Sequence, residues 1–277
     1  MTTNRKLYIF WNGWYKMEEY ITKSLREEIF SKLKNLRSNP EYYDGRRNLV
    51  IQDLRAIGDV YSFWIENPKL RESLLLENNQ SKTVQKIARQ GIQNVSNGWY
   101  YLNKIGKYGN FVGEFNQNIL KKLNKLILGD NVPFNEFRNR DVTLNCPDYL
   151  PPGYEKVPTK VKEAISRIKE IHNNYGPLES AVTAHLELAA IQPFDDGNKR
   201  TARLIQDRIL YDYLIPPATI SAGEGTFYLG LLCKTLPHYK AKNVEGQREF
   251  YDYCASKVNN GLDEILGDLV IEPAKLH

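Results

Sequence analysis

One stretch limits what this chain can fold into more than any other: "PLESAVTAHLELAAIQPFDDGNKRTARLIQDRILYDYL", residues 177–214. Its first part, "PLESAVTAHLELAAI", reads as an apolar helix, and its last part, "NKRTARLIQDRILYDYL", as a second helix ended near Pro216 and Pro217. Pro193 stops the first helix, because its ring blocks continuation and restricts Gln192 before it. Asp196-Gly197-Asn198 is a turn signature in which Gly197 can take a positive φ and bring the backbone close to a ligand. Phe194 is expected to anchor the loop in the core. The second helix then begins near Asn198, with free N–H groups and the positive end of its dipole facing the loop.

A helix N-terminus behind a glycine turn is an anion cradle. Asp196 is a hard oxygen donor that suits Mg²⁺ beside it. Arg200 and Arg203 lie three apart on one helix face, so both can reach the same phosphates. Asp-Gly-Asn is also a common turn, however, and helix starts rich in Lys and Arg are usually solvated. On the residues alone both readings stay open.

The rest of the chain reads as mostly α. "KMEEYITKSLREEIFSKLKNL" carries Ile21, Leu25, Ile29 and Leu33 on one amphipathic stripe. "LVIQDLRAIGDVYSFWI" and "LRESLLLENN" predict two helices split by Pro68, and "FNQNILKKLNKLILGD" a helix with Gly129 as its C-cap. Residues 131–158 change character, being rich in Pro, Asn and Asp, with one β-like run at Val142, Thr143 and Leu144. A long loop with a small β-hairpin is expected there. Helices resume at "TKVKEAISRIKEIHNNYG", "TFYLGLLCKTL" and "EGQREFYDYCASKVNNGLDEIL".

Composition excludes several classes. The 38 Lys+Arg are interspersed with 33 Asp+Glu for a net charge of +5, which makes no nucleic-acid footprint. No run of about 18 apolar residues is present, so no membrane span is expected. Cys146, Cys233 and Cys254 contain no CxxC pair and read as reduced thiols of a soluble cytoplasmic protein. His172, His185, His238 and His277 are scattered, which disfavours a metal hydrolase.

"QPFDDGNKRTAR" resembles the signature loop of the Fic (filamentation induced by cAMP) family, His-x-Phe-x-Asp/Glu-Gly-Asn-Gly/Lys-Arg-x-x-Arg, at every position but the first. "NEFRNRDVTL" and "YLPPGYEKVP" are similar to that family's Gly-x-Phe-Arg segment and flap. The resemblance implies a Fic-type helical core with a small β-hairpin flap and a protein adenylyltransferase activity. AMP would pass from MgATP to a Ser, Thr or Tyr hydroxyl of a target protein. Asp196 would hold Mg²⁺; Gly197, Asn198 and Lys199 would offer backbone amides; Arg200 and Arg203 would contact phosphates. Val142, Thr143 and Leu144 would clamp the target's backbone by β-augmentation. A homo-oligomer stays open. The implied division is an N-terminal helical region over 1–95, a Fic core over 96–260 and a tail over 261–277.

Two positions depart from the pattern. Lys199 stands where many members have Gly; it is shared with death-on-curing toxins, which transfer a phosphate, but those lack the final Arg that is present here as Arg203. Gln192 stands where the family has the His that takes the proton of the attacking hydroxyl. An amide cannot accept that proton near neutral pH, and a positioned base is worth about 10²–10⁴-fold. Asp195 is expected to point away across the turn, and His185 to be a core residue about 10 Å up the helix at 1.5 Å per residue. A weakened enzyme and a nucleotide-binding regulator therefore both fit. Finally, Ser73, Glu77 and Asn78 in "ESLLLENN" resemble the family's inhibitory Ser/Thr-x-x-x-Glu-Gly/Asn motif, which implies a Glu77–Arg203 pair that hinders seating of the γ-phosphate.

Overall fold

The computed structural model describes residues 20–38, 46–76, 82–105, 109–129 and 136–271. Its helices are α1 (Lys23–Ser38), α2 (Arg46–Glu66), α3 (Pro68–Leu76), α4 (Lys82–Asn103), one-turn α5 (Phe111–Glu114), α6 (Gln117–Leu128), α7 (Val157–Asn174), α8 (Pro177–Ile191), α9 (Asn198–Tyr211), α10 (Gly225–Lys240) and α11 (Val244–Ile271). The mostly α expectation holds, including the break at Pro68 and the second helix starting at Asn198.

α8 is the axis of the molecule. Every residue from Pro177 to Ile191 is buried, as an all-round apolar helix requires. α7, α9, α10 and α11 cover it. Its polar side chains each meet a partner, since an unmatched buried polar group costs about 1–3 kcal/mol. Glu179 pairs with Arg26 of α1 at 2.5 Å. Burial outweighs that cation and pushes the Glu179 carboxyl up to about 7. Thr183 bonds the Tyr251 hydroxyl at 2.8 Å, and Glu187 accepts from the Tyr239 hydroxyl.

α9 returns against α8 and is covered on its other side by α2, α4 and α6. α6 starts where the Asn116 side chain accepts from the N–H groups of Asn118 and Ile119, and ends at Gly129 with φ +70°, the expected C-cap. The expected divisions at 95/96 and 260/261 fall inside the continuous helices α4 and α11.

Two expectations are corrected. No strand occurs among the described residues, so the flap is not a β-hairpin. Val142–Leu144 is a short run close to Pro147, Pro151 and Pro152, which donate no ladder hydrogen bond. The segment is organised by side chains instead: Asp141 accepts from the Tyr154 N–H at 2.9 Å, and the Tyr149 hydroxyl donates to the Ala190 carbonyl at 3.0 Å. The cysteines are not all reduced thiols either. Cys146 in the flap is disulfide-bonded to Cys233 of α10, with Cα atoms 5.1 Å apart, while Cys254 is free and buried. The partners lie 87 residues apart, and only the packing of α10 beside the flap brings them together. Among the described residues no helix is long and apolar enough to cross a membrane.

Candidate functional site

α8 ends in a left-handed turn at Gln192 (φ 49°, ψ 63°), whose N–H still bonds the Leu188 carbonyl. That conformation costs a non-glycine residue about 1–3 kcal/mol and persists only where the surroundings hold it. Arg138 does so. Its buried guanidinium donates from Nε to the Gln192 carbonyl at 2.7 Å and from Nη1 and Nη2 to the carbonyls of Arg140 and Pro152. One side chain thereby ties the flap to the end of α8. The Gln192 side chain folds back on its own helix, with Nε2 donating to the Ala189 carbonyl at 2.6 Å.

Beyond Gln192 the loop is closed from within. Phe194 is buried with its ring 5.6 Å from Phe137, the anchor that was expected. The Asn198 side chain accepts from the Phe194 N–H and donates to the Phe194 carbonyl, both at 2.8 Å. Asn198 therefore offers a ligand its backbone rather than its amide. Gly197 has φ +76°, and a Cβ there would stand 2.8 Å from Asn124 Nδ2. Asn124 of α6 also donates to the Asp196 carbonyl at 2.9 Å. The approach of α6 and the positive φ both demand glycine.

The first α9 hydrogen bond runs from the Thr201 N–H to the Gly197 carbonyl at 2.9 Å, and no side chain caps the helix. The N–H groups of Asn198, Lys199 and Arg200 thus have no helical acceptor. Three cations stand on the same end: Lys199, Arg200 and Arg203. Asp196, 73% exposed, lies 3.3 Å from Arg200 Nη2. Arg200 Nε is a buried donor without a partner. Free amides, an unsatisfied guanidinium donor and an exposed carboxylate fit a polyphosphate with Mg²⁺, which binds through one or two carboxylates plus phosphate oxygens. Among the described residues no group of three His, Cys, Asp or Glu could form an all-protein metal cage.

Arg203 is engaged by α2. Its Nε donates to Ser62 Oγ at 3.0 Å, and its Nη2 donates to the Ser62 carbonyl and to Glu66 Oε1, each at 3.1 Å. Glu66 Oε2 lies 3.4 Å from Lys199 Nζ. Burial alone would raise the Glu66 carboxyl, but Arg203, Lys199 and Arg200 more than offset it and hold it below the usual carboxylate range. Glu66 is also the last residue of α2, where the helix dipole disfavours a negative charge. The cations of α9 are what keep it there.

The expected Glu77–Arg203 pair falls outside the described residues. Ser73 lies on α3 with its side chain outside the described residues, and Glu77 and Asn78 lie outside them altogether. Among the described residues the carboxylate on Arg203 is Glu66. Ser62-Phe63-Trp64-Ile65-Glu66-Asn67 has the same Ser-x-x-x-Glu-Asn spacing one helix earlier. The signal is present twice, and among the described residues it is the Ser62–Asn67 copy that meets Arg203. The remaining expected residues come together: Gln192, Asp196, Gly197, Asn198, Lys199, Arg200 and Arg203 surround one loop. Asp195 points outward, as expected, to Arg140 of the flap at 3.0 Å. In the flap Val142 and Leu144 are half-buried and Thr143 is exposed. His185 is fully buried and engaged at both ring nitrogens, so it is no substitute base at Gln192.

The loop is thus a glycine-turned helix N-terminus bearing three cations and an exposed carboxylate, set in a mostly helical fold. Residues 114–210 match the model of the Fic/DOC family, and the chain carries a domain of that family. Curated relatives include "Protein adenylyltransferase Fic" of Nematostella vectensis, 32% identical over 156 residues, covering 55% of this chain and 34% of that protein. "Protein adenylyltransferase fic-1" of Caenorhabditis elegans is 24% identical over 147 residues, covering 53% of this chain and 28% of that protein. The chain thus spans about a third of the length of these relatives. Among solved structures, a Fic domain containing signaling protein from Bacteroides thetaiotaomicron superposes with TM-score 0.67 at 18% identity, covering 86% of this chain and 94% of that one. Fic-1 from C. elegans superposes with TM-score 0.64 at 19% identity, covering 90% and 72%. Both show the shared fold.

Proposed function

We propose that this Fic/DOC domain binds MgATP at the α9 N-terminus and has the architecture of a protein adenylyltransferase whose AMP transfer is weakened at Gln192. The observation that carries the reading is the convergence of Asp196, the uncapped Asn198–Arg200 amides and the unsatisfied Arg200 Nε donor on one loop, with Arg203 one turn further along α9. Bound MgATP would supply the electrophilic α-phosphorus, whose bond to the β-phosphate oxygen breaks as the hydroxyl oxygen attacks, with pyrophosphate as the leaving group. Asp196 holds the metal, the amides of Gly197, Asn198 and Lys199 take phosphate oxygens, and Arg200 and Arg203 neutralise their charge. The flap at Val142, Thr143 and Leu144 receives an extended segment of a hydroxyl-bearing target protein.

The attacking hydroxyl must shed a proton, and Gln192 can orient it but not accept it, which costs about 10²–10⁴-fold. A second reading, a nucleotide-binding regulator without turnover, is favoured by the same engaged amide. Glu66, in place of Glu77, acts as the brake by occupying Arg203 and Lys199.

Titration calorimetry with MgATP tests the cradle. The unaltered chain binds weakly, Glu66→Gly binds more tightly, and Asp196→Ala in that background loses about tenfold with Mg²⁺ but little without it. Absence of MgATP binding in the Glu66→Gly protein overturns the reading.

A further inference from the structure

All the donor contacts that Arg203 makes to Ser62 and Glu66 run to a single helix, α2. A phosphate that displaces Glu66 removes one of them, so the guanidinium needs a second hold from the core side. Tyr228 of α10 supplies a surface for it: its fully buried ring lies 5.5 Å from the Arg203 guanidinium carbon. The Tyr228 hydroxyl is 2.8 Å from His185 Nε2, and His185 Nδ1 is 2.6 Å from Gln206 Oε1. These three side chains come from three helices, α10, α8 and α9, and none belongs to the loop.

The proton positions follow from donor and acceptor chemistry. Gln206 Oε1 can only accept, so His185 Nδ1 carries the hydrogen and Nε2 is the acceptor. Tyr228 therefore donates its O–H to His185. The phenol oxygen then turns only lone pairs toward the cation, the orientation that a neighbouring guanidinium requires. Both ends of the chain thus demand the same tautomer. Burial of His185 lowers its pKa to about 3, which keeps the imidazole neutral and this arrangement in place near neutral pH.

We infer that Gln206, His185 and Tyr228 form a positioning relay that keeps the Arg203 guanidinium aimed at the phosphate cradle once Glu66 has let go. None of the three touches the nucleotide. The inference rests on the reading of Arg203 as a phosphate ligand.

A double-mutant cycle tests it, with MgATP affinity measured by calorimetry in the Glu66→Gly background. Tyr228→Phe keeps the ring and removes the hydroxyl, and Gln206→Leu removes the acceptor that fixes the tautomer. Each weakens MgATP binding about five- to twentyfold, and neither has any further effect once Arg203→Gln is also present. His185→Gln, which retains an acceptor for the Tyr228 hydroxyl, binds more tightly than His185→Leu. A merely structural role would weaken binding equally with and without Arg203, and that result overturns the relay. So does unchanged affinity in both Tyr228→Phe and Gln206→Leu. If Arg203→Gln itself leaves MgATP affinity unchanged, the phosphate reading fails, and the relay fails with it.

Discussion

Glu66→Gln keeps the size and reach of the side chain but removes its charge, whereas Glu66→Gly removes both. Glu66 faces Arg203 at 3.1 Å and Lys199 at 3.4 Å. At an effective dielectric constant near 20, a unit charge pair at about 4 Å is worth about 4 kcal/mol, and desolvating a mostly buried carboxylate takes back much of that. Hydrogen bonds to charged groups retain about 1.5–3 kcal/mol net. A phosphate competing for Arg203 must overcome this amount, so Glu66→Gly tightens MgATP binding by about 10- to 150-fold, with Glu66→Gln between. The apo protein moves the other way, losing a similar free energy because Arg203 stays buried with fewer partners. The assay pairs calorimetry with thermal melts, with and without MgATP. A lower apo melting temperature combined with a larger MgATP-induced rise is the expected signature. Equal affinities in all three proteins, alongside a lowered apo melting temperature, would refute the brake and leave Glu66 a structural ion pair. The sign with pH follows from the same cations. Because Glu66 is held below the usual carboxylate range, the pair is intact at neutral pH and is lost only as pH falls through that lowered value.

Reduction of the Cys146–Cys233 disulfide, or Cys233→Ser, costs about 2–4 kcal/mol and speeds protease cleavage within residues 139–153; cleavage unchanged on reduction contradicts the tie between flap and α10. His172 is bonded to Ser180 and Tyr213, and burial lowers its pKa to about 4, below an unfolded value of about 6.5. The unfolded chain therefore binds the extra proton first. Compared with His172→Gln, the unaltered chain loses about 1.4 kcal/mol per pH unit as pH falls below about 6.5, levelling near 4. Urea unfolding of both proteins at several pH values measures this, and parallel curves contradict it.

Helix content, the Pro193 stop, the Gly197 turn and the Phe194 anchor were legible because each follows from local chemistry: a ring that blocks continuation, a missing Cβ, an apolar periodicity. The cradle residues were legible for the same reason, being contiguous. What local pattern could not deliver were relationships across the chain. Ser62–Asn67 and Ser73–Asn78 offer the same spacing, and the choice between them depends on which helix end reaches Arg203. The Cys146–Cys233 bond depends on where α10 lies beside the flap. The β-like composition of Val142–Leu144 had no strand to pair with among the described residues, and Arg138, Asp141 and Tyr149 shaped that segment instead. His185 was expected in the core, yet its link to Tyr228 and Gln206 required the packing of α8, α9 and α10.

The central claim is that the phosphate cradle is intact and the base is missing. Intact-mass measurement after incubation with MgATP tests it on three forms: the unaltered chain, Glu66→Gly, and Glu66→Gly combined with Gln192→His. The account predicts an AMP-sized adduct only on the last, where the brake is released and an imidazole stands at the end of α8. An equal adduct on the forms that keep Gln192 would contradict the missing base. A phosphate-sized adduct, or none on the combined variant, would contradict AMP transfer itself.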